Sequence, residues 1–200
     1  MSRFKRVAVM GTGTMGPGMG AVLARAGMHV TLYDTSAEQL EKAKAGYDLA
    51  WGVLDRLETP VVEGGSVTYC DTVAAALACA EFVIEAIPEN LALKQKVYAE
   101  YEQHVGPDVI LASNTSVIPI TDIAGDLDTA DRILGTHWWN PPFLVPLVEV
   151  VGTARTAPQN IEAMVALLTS VGKTPVHVRK DVAGFIGNRL QHALWREAIA

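Results

Sequence analysis

The chain has 200 residues, half of them apolar and 19% charged, which excludes disordered, collagen-like and coiled-coil readings and allows roughly 70% of the unfolded surface to be buried without a disulfide or metal staple. Its formal charge of −6 is uneven, ten basic against nineteen acidic residues in 1–150 and six against three in 151–200, a balance that argues against a nucleic-acid surface. No apolar run approaches the roughly 18 residues of a membrane span, Cys70 and Cys79 are too few for a disulfide or zinc framework and suit a reducing compartment, and residues 1–10 lack a signal-peptide core, so the reading is cytoplasmic with no membrane partner.

Along the chain, short β-branched runs alternate with helical segments, the signature of βαβ units and a parallel sheet. Strands are expected at 6–10, 29–33, 67–70, 82–87, 109–112, 133–138, 147–151 and 175–178. Helices are expected at 15–26, 37–57, 91–104 and 158–171. Ser36 with Gln39, and Thr156 with Gln159, match the capping box, and Gly172 suits a helix stop. Pro17 and Pro158 suit first helical turns, where a missing N–H costs nothing. A last helix from about residue 185 to the end carries Ile186, Leu190, Leu194 and Ile199 near helical spacing. The fold class is therefore α/β, a Rossmann-type doubly wound, mostly parallel sheet with helices on both faces, over residues 1–182. Residues 183–200 read as the start of a helical domain that continues past this sequence.

Gly11-Thr-Gly-Thr-Met-Gly16 follows the first strand and opens the first helix, the context in which G-x-G-x-x-G signals dinucleotide binding. Gly11 permits the tight turn, Gly13 lets a pyrophosphate approach the backbone, and Gly16 lets the helix pack while its N–H groups, with Thr14 and Met15, face the phosphates. Asp34 lies 23 residues beyond Gly11, where a carboxylate accepts ribose hydroxyls. With no Arg or Lys at 35–41 a 2′-phosphate meets only repulsion, so NAD is favoured over NADP.

Ligands of open α/β sheets sit outside the carboxyl ends of the strands, so the polar residues there are the ones to question. Asn90 reads as a helix cap, and Glu89 and Lys94 as either solvated helix charges or ligand groups. Ser113-Asn-Thr-Ser116 is either a capping run or a site. His137 and Glu149 each stand six residues from position 143, so a reversal there makes them face one another. That gives either an oriented general base or a satisfied core histidine, and an acid within a strand needs such a partner.

These segments resemble the NAD-binding domain of the 3-hydroxyacyl-CoA dehydrogenase family across nearly the whole chain. The resemblance rests on the glycine loop, Glu85-Ala-Ile-Pro-Glu-Asn-Leu-Ala-Leu-Lys94, Ser113-Asn-Thr-Ser116, His137-Trp-Trp-Asn-Pro141 with Leu147-Val-Glu-Val150, and Gly184-Phe-Ile-Gly-Asn-Arg189. It implies that His137 is the base, Glu149 its orienting partner, and Ser116 and Asn188 the groups that bond the substrate oxygen. It implies that Asp34, Glu89, Lys94, Asn114 and Asn140 help hold NAD, and that a C-terminal helical domain forms a homodimer. The leading activity it implies is oxidation of a 3-hydroxyacyl-CoA, as in fatty acid metabolism, with nicotinamide accepting hydride. Family members that bind CoA carry a lysine-rich helical hairpin where residues 41–80 here hold three basic and six acidic residues, an acidic, shortened hairpin that suits CoA phosphates poorly. Family branches that oxidise free hydroxy acids, carnitine or a pyridine carboxylate are the alternative. A third reading is an NAD-binding module without turnover.

Overall fold

The structure is a computed structural model that describes residues 4–199; Met1–Arg3 and Ala200, the latter the last residue of the expected final helix, lie outside the described residues. In chain order it contains β1 (Arg6–Met10), α1 (Gly16–Arg25), β2 (His29–Tyr33), α2 (Ala37–Arg56), β3 (Ser66–Cys70), α3 (Val73–Leu77), β4 (Phe82–Glu85), α4 (Leu91–Glu102), β5 (Ile110–Ser113) and α5 (Ile120–Ala124). A single 3-10 turn (Asp128–Arg132) then leads into β6 (Ile133–Trp138), β7 (Leu147–Gly152), α6 (Pro158–Ser170), β8 (Thr174–Val178) and α7 (Gly187–Ile199). Among the described residues the strands form one eight-stranded sheet in the order β3-β2-β1-β4-β5-β6-β7-β8. β1 to β6 run parallel, β7 pairs antiparallel with β6, and β8 runs parallel to β7.

Alternate strand residues feed two cores, as the period of two requires. Val7 and Val9 of β1 join Leu54 of α2 and Met164 of α6 on one face. Ala8 and Met10 join Leu77 of α3, Tyr98 of α4 and Ile123 of α5 on the other. Helices therefore cover both faces, which is why the central strands read as continuous apolar runs. No helix among the described residues is long and apolar enough to cross a membrane.

The expected start signals divide. Ser36 caps α2 by accepting from Gln39 N at 3.3 Å, and Asn90 caps α4 by accepting from Leu93 N at 2.9 Å. Thr156 does not cap α6, whose N-cap is Ala157 without a side-chain bond. Its hydroxyl instead donates to Ile133 O at 2.7 Å and accepts from Thr153 N at 2.8 Å, ordering the loop before the helix. The expected strand at 82–87 stops at Glu85. There the Ile87 N–H turns to the Glu85 side chain at 2.8 Å rather than to a neighbouring strand.

No helical hairpin forms over residues 41–80. α2 is one 20-residue helix, and Pro60 and Gly64-Gly65 rule out a second helical arm before β3. The final helix begins at Gly187 rather than near 185, because Gly184 and Phe185 adopt positive φ of 76° and 48°.

Candidate active site

Five parallel strands, β1, β2, β3, β4 and β5, end along one edge, and the chain leaving them lines a groove of about 790 Å3. Gly11, Gly13, Thr14 and Met15 follow β1; Asp34 follows β2; Glu89 follows β4; Asn114 and Ser116 follow β5. The two glycines work differently. Gly11 has φ of 109° and a Cβ there would stand 2.6 Å from Ala86 O, whereas a Cβ at Gly13 would meet nothing within 4 Å. Gly11 is thus demanded by the fold, and Gly13 leaves open space at the mouth of a ten-residue helix whose first N–H groups are unpaired by geometry. Gly16 lies behind the loop, where a Cβ would run into Gly11 O. Asp34 is oriented by Thr12, whose N–H and hydroxyl both donate to Oδ2 at 2.9 Å, and by Ser36 N, which donates to Oδ1 at 3.1 Å. An open glycine loop at a helix N-terminus, an oriented carboxylate one strand away and a groove of this size fit a dinucleotide.

A second polar layer lies under the groove. Lys94 is buried and does not line it; its ammonium sits 2.6 Å from Glu85 Oε1 and 3.4 Å from Glu89 Oε2. Glu85 also accepts from the Ser113 hydroxyl at 2.6 Å. Burial pushes the Glu85 carboxyl up against the pull of Lys94. Glu89 Oε1 accepts from the Thr115 hydroxyl at 2.6 Å, Ser116 N at 2.9 Å and Val117 N at 3.1 Å. Burial raises the Glu89 carboxyl, but the Thr115 bond, Lys94 and these amides outweigh it and hold it below the ordinary range. Glu89 thereby fixes the loop that carries Ser116.

His137 and Glu149 are direct partners in the β6–β7 register, and His137 Nδ1 lies 2.8 Å from Glu149 Oε2. Both are buried. Glu149 Oε1 accepts from Ile186 N at 2.9 Å and Gly187 N at 3.0 Å, at the start of α7. Burial raises the Glu149 carboxyl, yet the His137 bond and the two amides hold it below the ordinary range. An ionised carboxylate only accepts, so Nδ1 carries the proton and the Nε2 lone pair is left to act as a base. The positive φ of Phe185, a buried residue whose ring centroid lies 6.0 Å from that of His137, is what aims the two amides at Glu149.

Asn188 Nδ2 donates to Ser116 O at 2.8 Å, bringing together the two residues expected to bond a substrate oxygen. Asn114 Oδ1 accepts from Trp138 N at 2.9 Å and ties the groove to the histidine strand. Asn140 is exposed on the turn after β6 and does not line the groove. Sequence reasoning missed the apolar end of the groove, Tyr33, Val73, Leu93, Val97 and Tyr101, whose spacing looks like ordinary core. It also missed Thr12 as the partner of Asp34, although a hydroxyl inside the glycine loop was a usable signal.

A dinucleotide groove at the carboxyl edge of a parallel sheet, bordered by a buried His–Glu pair, defines a Rossmann-type dinucleotide-binding domain. The sequence profile of the 3-hydroxyacyl-CoA dehydrogenase NAD-binding domain matches residues 6–182, and the chain belongs to that family. Its cofactor is NAD.

The chain is 42% identical over 197 residues to 5-formyl-3-hydroxy-2-methylpyridine 4-carboxylate 5-dehydrogenase of Mesorhizobium japonicum, covering 98% of this chain and 64% of that protein. It is 39% identical over 198 residues to an L-carnitine dehydrogenase of Streptomyces coelicolor, covering 98% and 62%. A crystal structure of a 5-formyl-3-hydroxy-2-methylpyridine 4-carboxylic acid 5-dehydrogenase, described as an NAD+-dependent dismutase, superposes with a TM-score of 0.95 at 41% identity, over 98% of this chain and 64% of that one. The chain thus spans less than two thirds of the length of these relatives.

Proposed function

We propose that this chain is the cofactor-binding and proton-accepting part of an NAD-dependent dehydrogenase that oxidises the hydroxyl of a small polar substrate that is not a CoA thioester, a free hydroxy acid, a carnitine-like molecule or a pyridine carboxylate. The observation that carries the reaction class is the buried His137–Glu149 pair at 2.8 Å. His137 Nε2 takes the hydroxyl proton as the carbonyl forms, and Glu149 stabilises the resulting imidazolium. The Ser116 hydroxyl and the Asn188 amide hydrogen-bond the substrate oxygen as charge builds on it. Gly13, Thr14 and Met15 cradle the phosphates on the turn that Gly11 and Gly16 permit, Asp34 takes ribose hydroxyls, Asn114 borders the nicotinamide end, and Glu89 with Lys94 holds the floor between. Bound NAD+ supplies the acceptor for the carbon-bound hydrogen and its electron pair.

Substrate class is supported by the 41–80 segment, three basic against six acidic residues, where a basic hairpin would greet CoA, and by the names of the two relatives above, neither of which names a CoA thioester. Oxidation of a 3-hydroxyacyl-CoA is the second reading, favoured by the family profile itself. The exposed apolar residues Leu190, Leu194, Trp195 and Ile199 of α7 support reading that helix as the start of a helical domain through which the protein dimerises. The unpaired Cys70 and Cys79 suit a cytoplasmic location.

The test is NADH formation with matched substrates, 3-hydroxybutyrate, L-carnitine and a hydroxymethyl-pyridine carboxylate against 3-hydroxybutyryl-CoA. Turnover of a free substrate at least about tenfold above the thioester is expected, a difference of about 1.4 kcal/mol in transition-state binding. Preference for the thioester replaces the proposal by the second reading. NAD binding without any turnover leaves a binding module.

A further inference from the structure

Lys173 lies at the junction of α6 and β8, away from both the groove and the His–Glu pair, and its side chain is buried. Among the described residues no carboxylate pairs with it. Its ammonium donates to Pro142 O and, at 3.0 Å, to Val145 O, and stands 5.2 Å from the centroid of the Trp138 ring. A buried cation held only by carbonyl dipoles and an indole face is costly to keep, and what it organises is the turn of residues 139–146. That turn leaves β6 directly after His137 and Trp138, carries Trp139, whose ring centroid is 5.0 Å from that of His137, and returns into β7 with Glu149. It also rests on α1, where a Cβ at Gly18 would stand 2.7 Å from Pro142 Cγ. One ammonium therefore joins the two arms of the dyad to the helix that faces the cofactor.

We propose that Lys173 is a positioning residue: it clamps the 139–146 turn so that Trp139 stays in place beside His137, a role in catalysis that rests on the oxidation proposed above. Loss of the proton leaves two weaker donors and no charge over Trp138. Burial lowers Lys173 to about 8. The turn and the adjoining end of α6 bring no charge near it, and α1 brings Arg25, already paired with Asp55 of α2. The clamp thus slackens from neutral pH into the mildly alkaline range.

The test compares the 200-residue chain with Lys173→Met. Amide exchange at Leu144 and Val145, both bonded to Pro141 O at 3.0 Å, is expected to quicken at least about tenfold in the variant while α4 is unchanged. Tryptophan emission of the parent chain is expected to shift in a transition near pH 8 that the variant lacks. Turnover is expected to fall at least about tenfold with NAD affinity within about threefold. Unchanged exchange at Leu144 and Val145 overturns the clamp, whether or not turnover is detected. Faster exchange with full turnover overturns its part in catalysis. A parent chain that turns nothing over defeats the dehydrogenase reading, and exchange and emission still decide on Lys173. Should Lys173→Met not fold, Lys173→Arg keeps charge and donors: protection retained with the pH 8 transition gone supports the clamp, and the transition persisting overturns it.

Discussion

His137 and Glu149 show how two side chains that are each awkward inside a sheet become useful as a pair. A buried carboxylate alone is penalised by desolvation, and Glu149 escapes that penalty by taking three N–H donors, one from His137 and two from the start of α7. Glu85, equally buried, is pushed up despite Lys94, so the same residue type is tuned in opposite directions a few strands apart. The Glu149 carboxylate fixes the imidazole tautomer, and the chemistry then depends on one nitrogen. His137→Gln keeps an amide donor within reach of Glu149 and has no basic lone pair. It is expected to bind NAD within about threefold of the parent, since His137 does not line the groove, and to lose at least about a hundredfold in kcat, the lower end of general acid–base effects. Cofactor titration beside steady-state turnover checks both halves, and near-normal kcat removes His137 from the chemistry.

At the scale of elements, the β1–α1 loop separates folding from binding within three residues. Gly11→Ala places a Cβ 2.6 Å from a backbone oxygen at φ of 109° and is expected to cost about 1–3 kcal/mol of stability. Gly13→Ala meets no protein atom within 4 Å; its midpoint in denaturant is expected to stay within about 0.5 kcal/mol of the parent. It is expected to raise the NAD Kd at least about tenfold, because the methyl takes up phosphate space. Denaturant melts and NAD titrations of the two variants tell them apart, and equal losses of affinity and stability in both would contradict the division of roles. Much of this element-level organisation was legible in sequence: the loop has a strand before it and a helix after it, and Glu149 stands in a strand where an acid demands a partner. α3 and α5 were not legible, being five residues each and too short to show a helical period. Thr156 matched a capping box, but its hydroxyl found a nearer acceptor in Ile133 O, a contact from another element that no local pattern contains. Lys94 was singled out as a ligand group, but its burial beneath the groove against Glu85 was not legible; Lys173 was opaque altogether, since it is held by carbonyls of the 139–146 turn that only the assembled sheet brings close.

For the whole molecule, the acidic balance means that stability at low pH is governed by which carboxylates the fold holds ionised. Glu81, Glu89 and Glu149 lie below the ordinary value of 4.5. For each, burial pulls the other way and is outweighed: Glu81 by Lys5 and Arg6, Glu89 by Thr115, Lys94 and loop amides, Glu149 by His137 and the α7 amides. A group whose pKa is lower folded than unfolded binds fewer protons in the native state, so it contributes stability above its unfolded pKa that is lost as pH falls through the folded one. Glu85, shifted upward, acts with the opposite sign: its stability is present below 4.5 and is lost as pH rises through its folded value. Three groups against one predict that the thermal midpoint falls as pH drops from about 4.5 toward 3, at up to about 1.4 kcal/mol per pH unit for each group still titrating. Glu89→Gln cannot ionise and loses its ion pair to Lys94. It is expected to melt lower than the parent at neutral pH and to show a shallower decline on acidification, because one of the three titrations is gone. Calorimetric melts of the two proteins across that range decide it: parallel curves would mean that Glu89 is not among the groups that the fold keeps ionised.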